Sequence, residues 1–282
     1  WDPPLYSQAM ALSTIFLFVL FGAVLLYQRS SRHHEFATVR PGGASFRPAL
    51  IGKWRYFASG LLILWIAVSI YLPLAMVLIG SFMKFFGMFG IEKPFTIQHW
   101  AAVLGDPAFT QALQNSLILG FGVAGLGVVV YSVLGYLILR GRFVGRPTLC
   151  LLVWIPWAIP GILLGLSLLW IFLSVRFFNF LYGTMFVLIF SVILKDMPIG
   201  TQMFKAAFAQ VTEELEQASR VSGAGPFTTF RRITVPLIAP MIVSIFVLVF
   251  MSSIRDISTP ILLATPATTP LAVLMLGRSV AG

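Results

Sequence analysis

The sequence has few charged residues, a single cysteine and only three histidines. Charged residues make up 10% of the 282 residues and hydrophobic residues 59%, whereas soluble domains carry roughly 25% charged residues. Such a chain cannot bury its apolar surface in one soluble core, so an ordinary soluble domain is excluded and a membrane protein is predicted. The lone Cys150 excludes an internal disulfide, and the cysteine and histidines show no metal-site spacing.

Long apolar runs make up most of what is present. About 20 apolar residues in a row span a bilayer as a helix. We assign six candidate spans, at residues 10–27, 57–82, 113–139, 148–174, 180–202 and 236–254. Residues 271–282 look like the start of a seventh span. The sequence lacks the alternation of a β-barrel, so the predicted fold class is an all-α membrane protein, a polytopic helical bundle.

The basic residues are distributed unevenly between the loops. If the 28–57 linker is cytoplasmic, segments 28–57, 140–147 and 203–235 together hold 13 of the 19 Lys and Arg residues, and the opposite side holds five. Cytoplasmic loops are enriched in Lys and Arg. This predicts an external N-terminus for the sequence, an external 83–112 segment with a short interfacial helix around Trp100, and a cytoplasmic 203–235 segment.

The cytoplasmic segment after the fifth span breaks the membrane pattern with charge, glycine and proline. Thr212 is a predicted helix N-cap, Gly223 a left-handed helix end, and Pro226 the first residue of a short second helix. Pro236 marks the return to the membrane. Three- and four-residue spacing predicts one apolar face that contains Phe204, Phe208, Val211, Leu215 and Ala218. An ordered insert with an apolar and basic tip is more typical of a partner surface than of a solvated connection.

The spacing of this segment resembles the EAA loop of permease subunits in binding-protein-dependent ABC importers. That pattern is Glu-Ala-Ala, three residues, Gly, nine residues, Ile, two residues, Pro. Every spacing is kept by Gln217, Ala218, Ser219, Gly223, Ile233 and Pro236. Gln217 replaces Glu and Ser219 replaces Ala. The resemblance implies that the first position contacts a basic residue of the ATPase. Gln217 keeps a hydrogen bond there but loses the charge, and the neighbouring Glu216 could replace it.

The resemblance extends over most of the chain. Residues 113–263 resemble the core permease region, and IRDISTPILLATPATTPLAVLML is similar to the ferric-iron type, in which one chain fuses two permease repeats. By this resemblance, residues 1–28 end an upstream repeat and 29–57 form a cytoplasmic linker. Residues 58–282 then form a second repeat, which we expect to be C-terminally incomplete. Fused permeases for thiamine or phosphonates share much of the pattern.

The resemblance also implies a location and partners. These are a bacterial inner membrane, a cytoplasmic ATPase dimer that binds ATP and Mg, a periplasmic or extracellular binding protein, and the other permease repeat. A coupling helix is expected at Ala224–Phe230. The chain itself is expected to bind no cofactor and to catalyse no reaction, because it lacks a phosphate-binding lysine loop. The residues assigned to ATPase coupling are Glu216, Gln217, Ala218, Gly223, Ala224, Gly225, Pro226, Phe227, Phe230, Ile233 and Pro236. Ferric iron is the first choice of substrate, with thiamine, phosphonate or polyamine as alternatives.

Prolines and charges in or beside the spans are candidates for the pathway or a gate. They are Pro156, Pro160, Lys195, Asp196, Arg255 and Asp256. The prolines should kink the fourth span. Charges within a membrane are costly and often functional. The Lys-Asp pair, expected towards the cytoplasmic end of the fifth span, would meet the partner repeat or reach the interface. The Arg-Asp pair, at the external end of the sixth, would cap the helix, dock the binding protein or meet a hard cation.

Other motifs favour packing over chemistry. The GxGxxG match at 120–125 lies inside an apolar span, which predicts close helix contacts and not a dinucleotide site, and Gly161 and Gly165 are interpreted in the same way. Gln114, Asn115 and Ser116 are expected to be interfacial. A membrane hydrolase would need histidines or paired aspartates within the spans, but all three histidines lie outside them. A channel or scaffold would not need the EAA spacing.

Overall fold

The structure is a computed structural model that describes residues 54–84 and 94–281. The predicted span at 10–27 and nearly all of the 29–57 linker therefore lie outside the described residues. The described chain divides into two compact units, residues 54–84 with 94–110 and residues 111–281. Within these ranges the regular elements are helical, apart from one isolated antiparallel bridge between Met83 and Phe95.

The first unit contains one long apolar helix and one short helix. Helices α1 (Trp54–Ile66) and α2 (Leu72–Ser81) are joined by a π turn at Ala67–Tyr71, and together they are long and apolar enough to span a membrane. Helix α3 (Gln98–Leu104) is the short helix predicted around Trp100. The Trp100 ring stacks on Phe82 at a centroid distance of 5.7 Å, and its Nε1 donates to Ser81 Oγ over 3.3 Å.

The second unit is a bundle around α7. Its helices are α4 (Pro107–Arg140), α5 (Arg146–Ala158), α6 (Gly161–Ser174), α7 (Met185–Ala209), α8 (Glu213–Val221), α9 (Pro226–Thr229), α10 (Val235–Ile254), α11 (Pro260–Leu263) and α12 (Leu271–Ala281). A π turn at Phe230–Thr234 joins α9 to α10. Among the described residues four helices can cross a membrane, and α5 with α6 makes a fifth candidate. This agrees with five of the six predicted spans, with shifted ends, while α12 remains a shorter apolar helix.

The predicted fourth span is not one continuous helix. Helices α5 and α6 meet at an angle of 106°. The break falls at Ile159, which is extended (φ −97°, ψ 124°) and precedes Pro160, because proline disfavours helical geometry in the residue before it. Pro156 lies inside α5 without ending it. The expected kink is therefore a full break, and it falls directly before Pro160.

Helices α4 and α7 approach closely through small residues and one tyrosine. The fully buried Tyr131 hydroxyl donates to the carbonyl oxygen of Ile193 over 2.9 Å. A side chain at Gly200 would collide with the Tyr131 ring, and one at Gly135 would lie 3.0 Å from the Lys205 backbone nitrogen. Backbones can approach this closely only where side chains are absent, so α4 and α7 form the tightly packed centre of the bundle.

Two of the three glycines of the GxGxxG match have the packing role expected of them, whereas no atom lies within 4 Å of a Cβ at Gly125. A Cβ at Gly120 would lie 2.8 Å from Phe250 and Ile254 of α10, and one at Gly122 would collide with Ile189. A Cβ at Gly165 would likewise lie 2.9 Å from the carbonyl oxygen of Thr259. The motif therefore brings α4 against its neighbours in the bundle.

Two of the three polar residues expected to be interfacial near the start of α4, Asn115 and Ser116, are buried, whereas Gln114 is exposed. Asn115 Nδ2 donates to the carbonyl oxygens of Ala267 and Thr269 over 3.0 and 3.1 Å. Ser116 Oγ accepts from the backbone nitrogen of Leu271 over 2.7 Å. Both side chains are buried, because they satisfy the backbone of the loop that precedes α12 and hold that loop to α4.

Candidate functional site

The segment between α7 and α10, residues 210–234, is called here the α7–α10 connection. The first three residues of its predicted apolar face are buried, but Leu215 and Ala218 are exposed. Glu216 and Ser219 are the buried residues of α8 instead. The prediction was wrong there because α7 ends at Ala209, so the helical phase does not continue across residues 210–212.

Arg140, the last residue of α4, binds the junction between α7 and α8. Its Nη1 lies 2.6 Å from Glu213 Oε1, and its Nη2 donates to the Val211 carbonyl oxygen. Its Nε lies 3.9 Å from Glu216 Oε1. The first two contacts are charge-assisted hydrogen bonds, which are short and strong, whereas the third is an ion pair beyond hydrogen-bond distance. The planar guanidinium suits several acceptors at once. Sequence reasoning counted Arg140 only as a basic residue of a cytoplasmic loop.

The orientation of Glu216 argues against its expected role at the ATPase. Its side chain is 9% exposed and faces Arg140, while the side chain of Gln217 is exposed. Consecutive helix residues point in directions about 100° apart, and here Gln217 faces outward while Glu216 does not. Of the two residues that depart from the family pattern, Gln217 is thus the one on the outer surface.

The glycine turn after α8 has the predicted geometry. Gly223 has a φ of +85°, and the backbone nitrogen of Ala224 donates to the carbonyl oxygen of Ser219 over 3.1 Å. This 6→1 hydrogen bond, together with the left-handed glycine, is the Schellman motif at the end of a helix. Pro226 then begins α9, also as predicted.

Ser219, where the family pattern has alanine, has a partner within the α7–α10 connection. Its hydroxyl lies 2.9 Å from the Thr229 hydroxyl, and both side chains are buried. Thr229 Oγ1 also donates to the carbonyl oxygen of Gly225 over 3.2 Å. This departure from the pattern therefore links α8 to α9 across the glycine turn.

The outer surface of the α7–α10 connection is apolar with basic residues beside it. Val221 is 90% exposed and Phe227 is 75% exposed. Arg231 and Arg232 are exposed in the π turn that follows. Together with the exposed Gln217, these side chains form the apolar and basic surface that the sequence predicted.

Two predicted features of the second helix need correction. Phe230 does not face outward, because its ring packs against Tyr136 and Phe208 at centroid distances of 5.5 and 6.2 Å. The short helix expected at Ala224–Phe230 begins at Pro226, and its end needs correction because the helix continues through the π turn to Ile254. Of the remaining assigned residues, Ala224 and Ile233 are partly buried, while Gly225 and Pro236 are exposed.

A second polar cluster lies at the middle of α7. Lys195 Nζ is 2.6 Å from Asp256 Oδ1 and 3.2 Å from Ser258 Oγ. Asp256 also accepts from the backbone nitrogen and the hydroxyl of Ser258, and from the hydroxyl of Thr259. A Cβ at Gly161, at the start of α6, would contact Ser258. The cluster therefore joins α7, the segment before α11 and the break between α5 and α6.

One of the two expected positions was wrong. Asp256 follows the end of α10 at Ile254, as predicted, but Lys195, which was placed towards the cytoplasmic end of its span, forms an ion pair with it. The reason is that α7 continues to Ala209, so Lys195 lies at its middle. Asp196, the neighbour of Lys195, is buried, and Arg255 is exposed, so the predicted Arg-Asp pair is divided between two environments.

Comparison with known proteins identifies the family. Residues 125–280 match the family of the binding-protein-dependent transport system inner membrane component. This match covers more than half of the chain, and the chain belongs to that family. It is a multi-span membrane protein with the fold of ABC importer permeases.

Relatives within the family differ in their named substrates. The Fe(3+)-transport system permease protein FbpB 2 of Haemophilus influenzae is 25% identical over 268 residues, which are 90% of this chain and 47% of that protein. The trehalose transport system permease protein SugB of Mycobacterium tuberculosis is 28% identical over 186 residues, 65% of this chain and 66% of that protein. This chain thus spans about half the length of the ferric relative.

The fold also matches a solved transporter structure. A chain of a bacterial alginate ABC transporter, crystallised in complex with its alginate pentasaccharide-bound periplasmic protein, superposes with a TM-score of 0.59. The match covers 81% of this chain and 84% of the other, at 23% sequence identity. It establishes the type I permease fold.

Proposed function

We propose that this chain is a permease of an ATP-driven importer, which moves a substrate from an external binding protein into the cytoplasm. The supporting observation is the α7–α10 connection. It is held by Arg140 on its inner side and presents Gln217, Val221 and Phe227 on its outer side. Exposed apolar patches with polar rims are typical of protein interfaces. We assign this surface to a cytoplasmic ATPase dimer that binds ATP and Mg.

We further propose a location and an orientation. The chain lies in a bacterial inner membrane with the α7–α10 connection in the cytoplasm. The asymmetry of Lys and Arg between the loops supports this orientation. Residues 58–282 form the second repeat of a fused permease, and the other repeat completes the pathway.

Ferric iron is the substrate that we propose to test first. The match to the ferric relative covers 90% of this chain, whereas the match to the trehalose relative covers 65% of this chain. Selectivity in such a system would rest largely on the binding protein. Thiamine, phosphonate or polyamine import are the alternatives, and each would use the same ATPase surface.

The Lys195–Asp256 cluster is proposed to lie on the transport pathway. Buried charge is costly in a membrane, and it is found facing bundle interiors or aqueous cavities. Lys195 keeps 29% of its side chain exposed, and the cluster borders the α5–α6 break. Partial exposure and a position beside this break are properties expected of a polar site that is closed in one conformation of the transporter and open in another.

Reconstitution tests this function directly. The full-length protein would be placed in liposomes with its ATPase, and ATP hydrolysis measured with the binding protein empty, loaded with ferric iron, or loaded with each alternative solute. Stimulation by the ferric form alone is the expected result. Stimulation only by binding protein loaded with another solute would support the importer and reject ferric iron as its substrate. If no loaded form stimulates hydrolysis and no ATPase binds, a channel or scaffold would replace the proposal.

A further inference from the structure

Arg140 differs from the other arginines near the same membrane boundary. Arg142 and Arg146 are exposed, as expected of residues that only bias topology. The Arg140 side chain is 14% exposed and contacts acceptors on the α7–α10 connection. A guanidinium that has lost most of its water needs such partners. A topological charge alone would not require this arrangement.

The acceptors of Arg140 lie in the break between α7 and α8 and in the first turn of α8. Val211 belongs to the junction at 210–212, whereas Glu213 and Glu216 lie in the first turn of α8. The continuous hydrogen bonding of α7 does not cross this junction. Contacts from α4, a third helix, therefore help to fix the direction in which α8 leaves α7.

The buried carboxylate of Glu216 gives the contact a second consequence. Its side chain is 9% exposed, and Arg140 is the counter-charge that the structure places beside it. A buried charge that loses its partner is strongly destabilising. Glu216 would then leave its place, and α8 would turn relative to the bundle. The neighbouring Gln217 on the outer face would move with it.

We infer that Arg140 is a positioning residue for coupling. It fixes α8 to α4, so a movement of the ATPase-facing surface also moves the helices of the bundle. This inference rests on the proposed function. Lysine cannot replace the arginine fully, because an ammonium is a compact point charge and lacks the planar fork.

The first test measures position and needs no substrate. Spin labels would be attached to cysteines at Arg142 and Glu214, both exposed, with Cys150 replaced by Ser. Distances would be measured in lipid nanodiscs. We expect one narrow distribution with Arg140 intact, and a broadened or shifted one with Arg140→Lys or Arg140→Gln. Unchanged distributions in both variants would overturn the inference.

The second test measures coupling in the unlabelled protein. With ferric-loaded binding protein, we expect Arg140→Lys to reduce the stimulation of ATP hydrolysis by roughly tenfold, comparable to the loss of a charge-assisted hydrogen bond. Arg142→Gln, which removes one charge from the loop that follows α4, should keep wild-type stimulation. Wild-type stimulation in Arg140→Lys would overturn the inference even if the distances change.

A double variant separates coupling from stability. Arg140→Gln with Glu216→Gln removes the unpaired buried carboxylate, so the amount of protein in the membrane should recover while stimulation stays low. Recovery of both would show that Arg140 only stabilises the fold, and would overturn the inference. Absence of stimulation of the wild type by every loaded form of the binding protein, with no ATPase bound, would reject the proposed function instead, and the distance measurement would still decide whether Arg140 positions α8.

Discussion

Replacement of Gly223 by valine should disrupt coupling while the protein still inserts. Gly223 has a φ of +85°, and no atom lies within 4 Å of the Cβ that a side chain would add. The cost is therefore conformational and not steric. A residue with a Cβ pays about 1–2 kcal/mol in the left-handed region, and β-branched residues are especially unfavourable there. A cost of that size lowers the population of the native turn by a factor of roughly 5 to 30.

Gly225 provides a matched control for this prediction. It lies in the same turn with equally open surroundings, but its φ is not positive, and the residue before a proline favours the extended conformations that valine adopts readily. We expect Gly225→Val to behave like the wild type and Gly223→Asn to be intermediate, because asparagine tolerates left-handed geometry. The assay would compare membrane abundance with ATPase stimulation by loaded binding protein. Equal stimulation in Gly223→Val and Gly225→Val would refute the reasoning.

Three further predictions concern stability. Lys195→Met leaves the buried Asp256 carboxylate without its counter-charge and should lower the free energy of unfolding by about 3–5 kcal/mol, which would be measured as a lower Tm in detergent. Adding Asp256→Asn should restore most of the lost stability. An unchanged Tm in the single variant would contradict the ion pair. Ser219→Ala should cost about 1 kcal/mol and speed proteolysis of the α7–α10 connection, but have no added effect once Thr229 is valine. Asn115→Leu should increase hydrogen exchange in the loop before α12, and unchanged exchange there would show that the side chain does not hold it.

Local chemistry made much of this structure predictable. Apolar length located the spans, because a helix in lipid must satisfy its own backbone over the whole bilayer. The positive φ at Gly223 and the helix start at Pro226 followed from the conformational preferences of those residue types alone. Such features depend on a few neighbouring residues, so one sequence is enough to find them.

The missed features depend on contacts between distant residues. Glu216 is buried because Arg140 approaches from another helix, and Lys195 pairs with Asp256, 61 residues away. Helical periodicity gives the faces of one helix but not the helix that will cover each face. A polar residue such as Asn115 at a predicted membrane boundary looks solvated until the loop that it binds is known.

The two π turns change how the helices that contain them should be read. Each ends two residues before a proline, at Tyr71 before Pro73 and at Thr234 before Pro236. A π turn accommodates one residue more than an α turn, so the side chains beyond it are rotated by about 100° from the phase set before it. In the helix from Pro226 to Ile254, the helical spacing that holds near the glycine turn therefore does not predict which side chains face the bundle after the π turn. Substitutions designed by continuing one register through residues 230–234 would reach the wrong side of the helix.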